Sequence, residues 1–102
     1  MPKFVFTYHG GQDTSSDQDA VMQAWRAFFG SLGDAVVDAG NPYAATKTIN
    51  SSGDINDETG PDTATGYSIV KADDFDTALK LAEACPTLAN GGTVHISETI
   101  PV

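Results

Sequence analysis

Two amphipathic helical segments, each flanked by β-type residues, constrain the fold of this chain more than any other feature. In the first segment, apolar residues recur at three- and four-residue steps, the spacing of one helix face: Val21, Met22, Trp25, Phe28, Phe29, Leu32 and Val36. The second segment repeats the pattern with Phe75, Ala78, Leu79, Ala82 and Cys85. The stripes predict helices over residues 17–38 and 74–85, which Gly40 and Pro86 would end.

Both predicted helices begin at residues that are suited to capping a helix N-terminus. A serine of Ser15-Ser16 can accept a hydrogen bond from the first turn, and Asp17 is favourable near the positive end of the helix dipole. Asp73 or Asp74 can cap the second helix in the same way. These residues place the starts of both helices just before their apolar stripes.

Four segments favour β-strands, over residues 3–9, 44–50, 66–72 and 93–100. The first alternates in side-chain direction with apolar residues on both faces, which is typical of a central strand. Residues 51–65 are rich in Ser, Gly, Asp and Pro, and they predict a mobile, acidic loop that joins the second and third strands as a long hairpin. Their carboxylates lack the spacing of a calcium-binding loop, so we expect them to be solvated.

The resulting order, β-α-β-β-α-β, predicts a ferredoxin-like α+β fold with a four-stranded antiparallel sheet in the order 4-1-3-2. A chain of 102 residues predicts a single domain over 1–102. Both helices would cover one sheet face, and the other face would expose apolar side chains. Because an exposed apolar face normally marks an interface, we expect a homodimer whose sheets pack together as an α/β barrel.

The charge of the chain excludes several classes of partner. Fourteen acidic and five basic residues give a net charge of −9, which disfavours nucleic acid and anionic membrane surfaces. No apolar run approaches the roughly 20 residues of a spanning helix, and the first residues do not form a signal peptide. One cysteine and two histidines provide neither a disulfide nor a complete metal site, so we expect a cytoplasmic protein without metal or cofactor.

The candidate functional residues lie where the first predicted strand ends and the last begins. His9 and His95 would be cross-strand neighbours, and an imidazole is the usual general base. Gly10 and Gly11 could present backbone N–H groups to an anion, and Ser68 could orient an imidazole. The alternatives are two structural histidines bonded to nearby hydroxyl groups and a flexible strand-to-helix turn.

Several short motifs run through most of the chain. They are Trp25, Phe28 and Gly33, then Gly40-Asn41-Pro42, then the run 66–73, then Ala78-Leu79, Cys85-Pro86 and the run 91–96. Together they resemble the YCII-related family, which includes the DGPF-motif proteins. The resemblance implies a ferredoxin-like fold and a dimeric α/β barrel. One branch of that family includes an enzyme acting on a chlorinated hydroxyquinol, with a His and an Asp near the first helix as its dyad.

The sequence leaves two classes of function open. The chain has no histidine between Ser15 and Gly40, so the histidine of that dyad has no counterpart, and only scattered letters of the D-G-P-F signature stand in residues 57–62. This favours a non-catalytic homodimer that binds a small molecule between its sheets. The alternative is a cofactor-free enzyme, lyase-, dehydrochlorinase- or oxygenase-like, acting on an aromatic substrate with His9 and His95.

Overall fold

The computed structural model describes residues 1–11, 17–60 and 62–101. These residues form an α+β arrangement of antiparallel sheets with three α-helices. In chain order the elements are β1 (Lys3–His9), α1 (Gln18–Leu32), a 3-10 helix (Gly33–Ala35), β2 (Val36–Asp38), β3 (Lys47–Ile49), β4 (Ile55–Asp57), β5 (Ala64–Lys71), α2 (Phe75–Ala82), α3 (Pro86–Ala89) and β6 (Thr93–Glu98).

The main sheet has four strands in the order β2-β5-β1-β6. Strand β1 is central and pairs antiparallel with β5 on one side and β6 on the other, so that Phe6 lies opposite both Ser68 and Ile96. The predicted pairing of the first and last strands is therefore present. The element order and the antiparallel pairing are consistent with a ferredoxin-like arrangement.

The second strand of this sheet is not the predicted segment. The first helix was expected to run to Asp38, but α1 ends at Leu32, where Gly33 takes a positive φ of 56°. After one 3-10 turn the chain becomes extended, and Val36 pairs with Val70 at the edge of the sheet. The prediction was wrong here because Val36 continues the helical stripe of α1 while its β-branched side chain also suits a strand.

Residues 44–50 and 51–65, predicted as an edge strand and a loop, form a small separate hairpin. Strand β3 pairs with β4, with Ile49 opposite Ile55, instead of pairing with β5. The turn between them is closed locally, since the side-chain oxygen of Asn50 accepts hydrogen bonds from the backbone N–H groups of Ser52 and Asp54. A short local turn forms this pairing without the entropy cost of a long loop.

The helix termini follow their capping residues. Asp17 caps α1 by accepting from the N–H of Ala20, and Asp74 caps α2 by accepting from the N–H of Thr77; Ser15-Ser16 lies outside the described residues. The second helix ends at Ala82 and not at residue 85, and Pro86 begins the separate helix α3, because proline is favoured at a first helical position. No helix within the described ranges combines the length and apolar character needed to cross a membrane.

The core lies between the sheet and the helices. Alternate residues of β1 are buried on the helix-covered face, where Phe4 contacts the ring of Phe75 and Tyr8 contacts that of Trp25. Cys85 is also buried, as its place on an apolar stripe predicts, and burial raises the pKa of its thiol. The intervening β1 residues Val5, Thr7 and His9 are half-buried and lie on the opposite face, which we call the open face.

Candidate functional site

His9 and His95 are brought together on the open face. His9 is the last residue of β1 and lies opposite Thr93, whereas His95 lies opposite Thr7, so the two histidines occupy diagonal positions. Their rings stack, with centroids 4.1 Å apart and planes inclined by 30°. His9 is half-buried and His95 is exposed.

The tautomer of the neutral His9 ring is fixed by its backbone partner. Its Nδ1 atom lies 2.8 Å from the carbonyl oxygen of Asp62. Because a carbonyl oxygen can only accept, Nδ1 must carry the proton, and in the neutral ring Nε2 then holds the free lone pair. That Nε2 atom is buried and has no hydrogen-bond partner among the described residues. A buried acceptor without a partner is rare and calls for an explanation.

A polar cavity of about 550 Å³ lies beside His9. Its described lining residues come from the end of β1, the base of the β3–β4 hairpin and the turn before β6; they are His9 to Gly11, Tyr43 to Thr46, Glu58 to Gly60, Asp62 to Thr65 and Gly91 to Thr93. They include the acidic residues Glu58 and Asp62 and neither lysine nor arginine. Its volume suits a small molecule, and its charge favours a neutral or cationic one.

Gly10 and Gly11 line this cavity and have positive φ angles of 61° and 60°. A Cβ atom at Gly11 would lie 2.3 Å from the carbonyl oxygen of Thr87 and 2.8 Å from the Cα of Gly92. Close backbone packing against the turn before β6 therefore accounts for glycine at position 11. The same packing brings this turn to the cavity wall.

Ser68 does not join the histidines. It lies opposite Phe6 on the helix-covered face and is fully buried. Its hydroxyl accepts a hydrogen bond of 2.8 Å from the Tyr8 hydroxyl and donates one of 2.6 Å to the carbonyl oxygen of Ala39. Burial raises the pKa of Tyr8 to about 12, although the Ser68 hydrogen bond opposes that rise, so the phenol stays protonated at neutral pH.

Ser68 instead lines a second cavity, also of about 550 Å³, between α1 and the sheet. Its walls are mainly apolar and include the side chains of Met22, Trp25 and Phe29. Gly10 and Gly11 line both cavities, so they form the boundary between the polar cavity and the apolar one. The predicted site residues are thus divided between two faces of the sheet.

Sequence reasoning missed the partner that orients His9. The backbone carbonyl of Asp62 lies 53 positions along the chain, and a carbonyl carries no residue-type signal. The carboxylates of Glu58 and Asp62 were expected only to be solvated, yet both residues line the polar cavity. No group of three or more histidine, cysteine or acidic side chains in the described part of the chain is arranged to hold a metal ion.

Two comparisons with known proteins bear on this chain. A search of curated proteins finds no match. A family model, that of the YCII-related domain, matches residues 3–101 and so covers nearly the whole sequence. The motifs from Trp25 to the run 91–96 lie within that match, and the chain belongs to the YCII-related family.

Proposed function

We propose that this protein binds a small, neutral or cationic polar molecule in the cavity beside His9. The observation that carries the proposal is the His9 ring. Its tautomer is fixed by the carbonyl of Asp62, its Nε2 acceptor is buried without a partner among the described residues, and the residue lines a polar cavity. A ligand N–H or O–H donor would satisfy that atom. The carboxylates of Glu58 and Asp62 would attract a positive charge on the same molecule.

Binding at Nε2 requires a small opening, because that atom is closed off in the free protein. The His95 ring stacks on His9 and is exposed. Its side chain has no hydrogen bond to the described residues, so only packing holds it in place. We propose that His95 moves aside when the ligand enters. The cost of that movement is the loss of one aromatic stack, about 1 kcal/mol.

The experiment is a thermal-shift and NMR screen of small amines, amides and amino acids against three proteins. His9→Phe keeps a ring for the stack and removes both nitrogens, so it should weaken binding roughly 3- to 10-fold, the value of one hydrogen bond. His95→Ala is the matched variant, and it should bind at least as tightly as the unaltered chain. Equal affinity of the His9→Phe variant, or the absence of any bound compound, would overturn the proposal.

The same lone pair supports the alternative, a cofactor-free enzyme in which His9 Nε2 is the general base. A base with a fixed tautomer beside a cavity is the geometry that proton abstraction needs. The two functions differ in the fate of the ligand. Mass spectrometry of any compound that binds, after incubation with the protein, distinguishes an unchanged ligand from a converted substrate. Conversion that is lost in His9→Phe would identify the enzyme.

We propose further that the protein is a cytoplasmic homodimer joined through its open faces. Val5 and Ile69 are cross-strand partners on that face and are only half-buried in the single chain. In a closed twofold dimer, the Val5–Ile69 pair of each copy would be removed from water. The free Cys85 thiol suits a reducing compartment. Light scattering at micromolar concentration should give twice the mass of the chain, and a monomer mass would refute the dimer.

A further inference from the structure

The β3–β4 hairpin holds the side chain of Glu58 in a defined position. Glu58 follows the last residue of β4, and its N–H donates to the carbonyl oxygen of Thr46 at 2.9 Å, which extends the pairing of the two strands by one residue. The hydroxyl group of Thr48 donates a hydrogen bond of 2.7 Å to Oε1 of Glu58. The hairpin therefore orients this carboxylate, whose Oε2 atom has no donor among the described residues.

The strand register separates Glu58 from the lysine of the hairpin. Thr48 lies opposite Asn56 on one face, and Lys47 lies opposite Asp57 on the other. Because successive side chains alternate, Glu58 returns to the face of Thr48, as its hydrogen bond requires. Lys47 forms a salt bridge of 3.0 Å with Asp57, the one salt bridge in the part of the chain that the structure describes. The lysine is thus held on the far face, and the charge of Glu58 has no basic partner among the described residues.

The face of the hairpin that carries Glu58 meets the polar cavity beside His9. Thr46 and Glu58 line that cavity, whereas Lys47 and Asp57 are not among its described lining residues. Another wall is formed by His9, whose Nε2 atom is a buried acceptor without a partner among the described residues. The cavity therefore combines an acidic residue that lacks a cation with an acceptor that lacks a donor, and the two come from different elements of the fold.

We propose that the ligand of this cavity is a small protonated amine that carries a second hydrogen-bond donor, an N–H or an O–H, at its other end. Its ammonium group lies at Glu58, and its second donor bonds to Nε2 of His9. Glu58 is then the residue that selects a cation, and Thr48 is a positioning residue that orients the carboxylate. This inference rests on the proposed function and narrows its ligand from neutral or cationic molecules to amines with two donor groups.

A protonated amine suits these two acceptors better than a metal ion, an anion or a neutral molecule. Within the described residues, no group of three or more histidine, cysteine or acidic side chains is arranged to hold a metal ion. An anion would be repelled by Glu58 in a protein of net charge −9. A neutral molecule would satisfy His9 but gain nothing from the charge of Glu58. An alkylammonium group provides three N–H donors and a positive charge in a small volume.

NMR titration of the ¹⁵N-labelled protein with three probes of equal length tests the assignment. The probe 4-aminobutanol has an ammonium and a hydroxyl group, pentanol has a methyl group in place of the ammonium, and pentylamine has a methyl group in place of the hydroxyl. The unaltered chain should bind 4-aminobutanol more tightly than either of the others, by at least about 3-fold. Glu58→Gln should weaken binding of both amines roughly 3- to 10-fold and leave that of pentanol unchanged. The same spectra show that the variant is folded.

Thr48→Val tests the positioning role, because it keeps the shape of the side chain and removes the donor to Glu58. It should weaken 4-aminobutanol about 2- to 5-fold without changing the affinity for pentanol, which a purely structural defect would also lower. Thr48→Ser retains the hydroxyl group and should restore binding of the amine. The matched control is Asp57→Asn, which removes the same charge one residue away on the opposite face of the hairpin. It should leave all three affinities unchanged.

The outcomes separate this inference from the proposed function. If neutral compounds bind as tightly as the amines and His9→Phe weakens them, the amine assignment is overturned and the binding site at His9 stands. Equal losses of amine affinity in Glu58→Gln and Asp57→Asn would show a general effect of charge and overturn the role of Glu58. If neither these probes nor any compound of the wider screen binds, both the amine assignment and the proposed function are overturned.

Discussion

His9 and His95 stack with their ring centroids 4.1 Å apart, although they are diagonal and not direct neighbours across β1 and β6. Aromatic side chains are long enough to reach diagonal positions in a sheet. The sequence predicted cross-strand neighbours, and the stacked pair occupies diagonal positions instead. The two rings contact through their faces, so the Nδ1 atom of His9 can bond to the Asp62 carbonyl oxygen, while Nε2 is buried.

The first prediction concerns the tautomer of His9. Long-range ¹H–¹⁵N spectra of the neutral imidazole should show His9 protonated at Nδ1, because that atom donates to the Asp62 carbonyl. The exposed His95 ring has no such partner among the residues that the structure describes, and it serves as the internal comparison. A His9 ring protonated at Nε2 would contradict the assigned hydrogen bond. It would also remove the acceptor on which the proposed ligand site depends.

The buried phenol of Tyr8 predicts a loss of stability at alkaline pH. Burial raises its pKa from 10.0 to about 12, so the folded state favours the protonated phenol. This contribution to the free energy of unfolding is fully present below pH 10 and is lost as the pH rises towards 12. Urea unfolding across that range should show the decline.

Tyr8→Phe is the control for that titration. It removes the hydrogen bond to Ser68 and should cost about 0.5–1.5 kcal/mol at neutral pH. It also removes the ionisable group, so its stability should decline less than that of the unaltered chain above pH 10. Parallel pH profiles of the two proteins would show that Tyr8 does not carry the alkaline loss.

The sequence predicted most of the elements but not the identity of the second strand. Residues 3–9 and 93–100 were recognisable because alternation and β-branched residues agree there, and their pairing follows from the element order. Val36 fits both the helical stripe and a strand, so local pattern could not decide between them. What decided it was Gly33, whose positive φ ends α1, and the distant partner Val70.

The candidate site was predicted only in part, because successive side chains of a strand point to opposite faces of the sheet. Adjacency of His9 and His95 follows from antiparallel pairing of the first and last strands. Ser68 was expected beside them, but a shift of one residue moves a side chain to the other face. In β5 it is Tyr67, opposite Thr7, that shares the open face, and Ser68 points into the core. The role of the Asp62 carbonyl could not be predicted from the sequence, because every residue type has a backbone carbonyl.

Asp74, the cap of α2, should stabilise the protein by an amount that depends on pH in the acidic range. The hydrogen bonds from Thr77 hold the pKa of Asp74 below its ordinary value of 3.8. Because the folded state binds the ionised carboxylate more favourably, Asp74 stabilises the fold at pH values above its ordinary pKa. This stabilisation is lost as the pH falls through the lowered pKa of the folded state. Asp74→Ala should therefore lower the Tm at neutral pH, and the difference should shrink in acid. Asp73→Ala, one residue earlier and also exposed, should leave the Tm nearly unchanged at both pH values.

Among glycine-to-alanine substitutions, we expect Gly40→Ala to be the most destabilising. A Cβ atom there would lie 1.8 Å from the carbonyl oxygen of Tyr67, at a φ of 75°. Backbone strain of about 1–2 kcal/mol and overpacking of about 1–3 kcal/mol both apply, so Gly40→Ala should lower the free energy of unfolding by roughly 3 kcal/mol. Gly91 has a similar φ of 82° with nothing within 4 Å of an added Cβ, so Gly91→Ala should show the strain alone. Gly30→Ala, in open space on α1, should be stabilising by about 1 kcal/mol. Urea unfolding of all three variants separates the effect of the close contact from that of the backbone strain. If Gly40→Ala and Gly91→Ala lose equal free energies of unfolding, the turn after β2 can move away from Tyr67 and the close contact costs nothing.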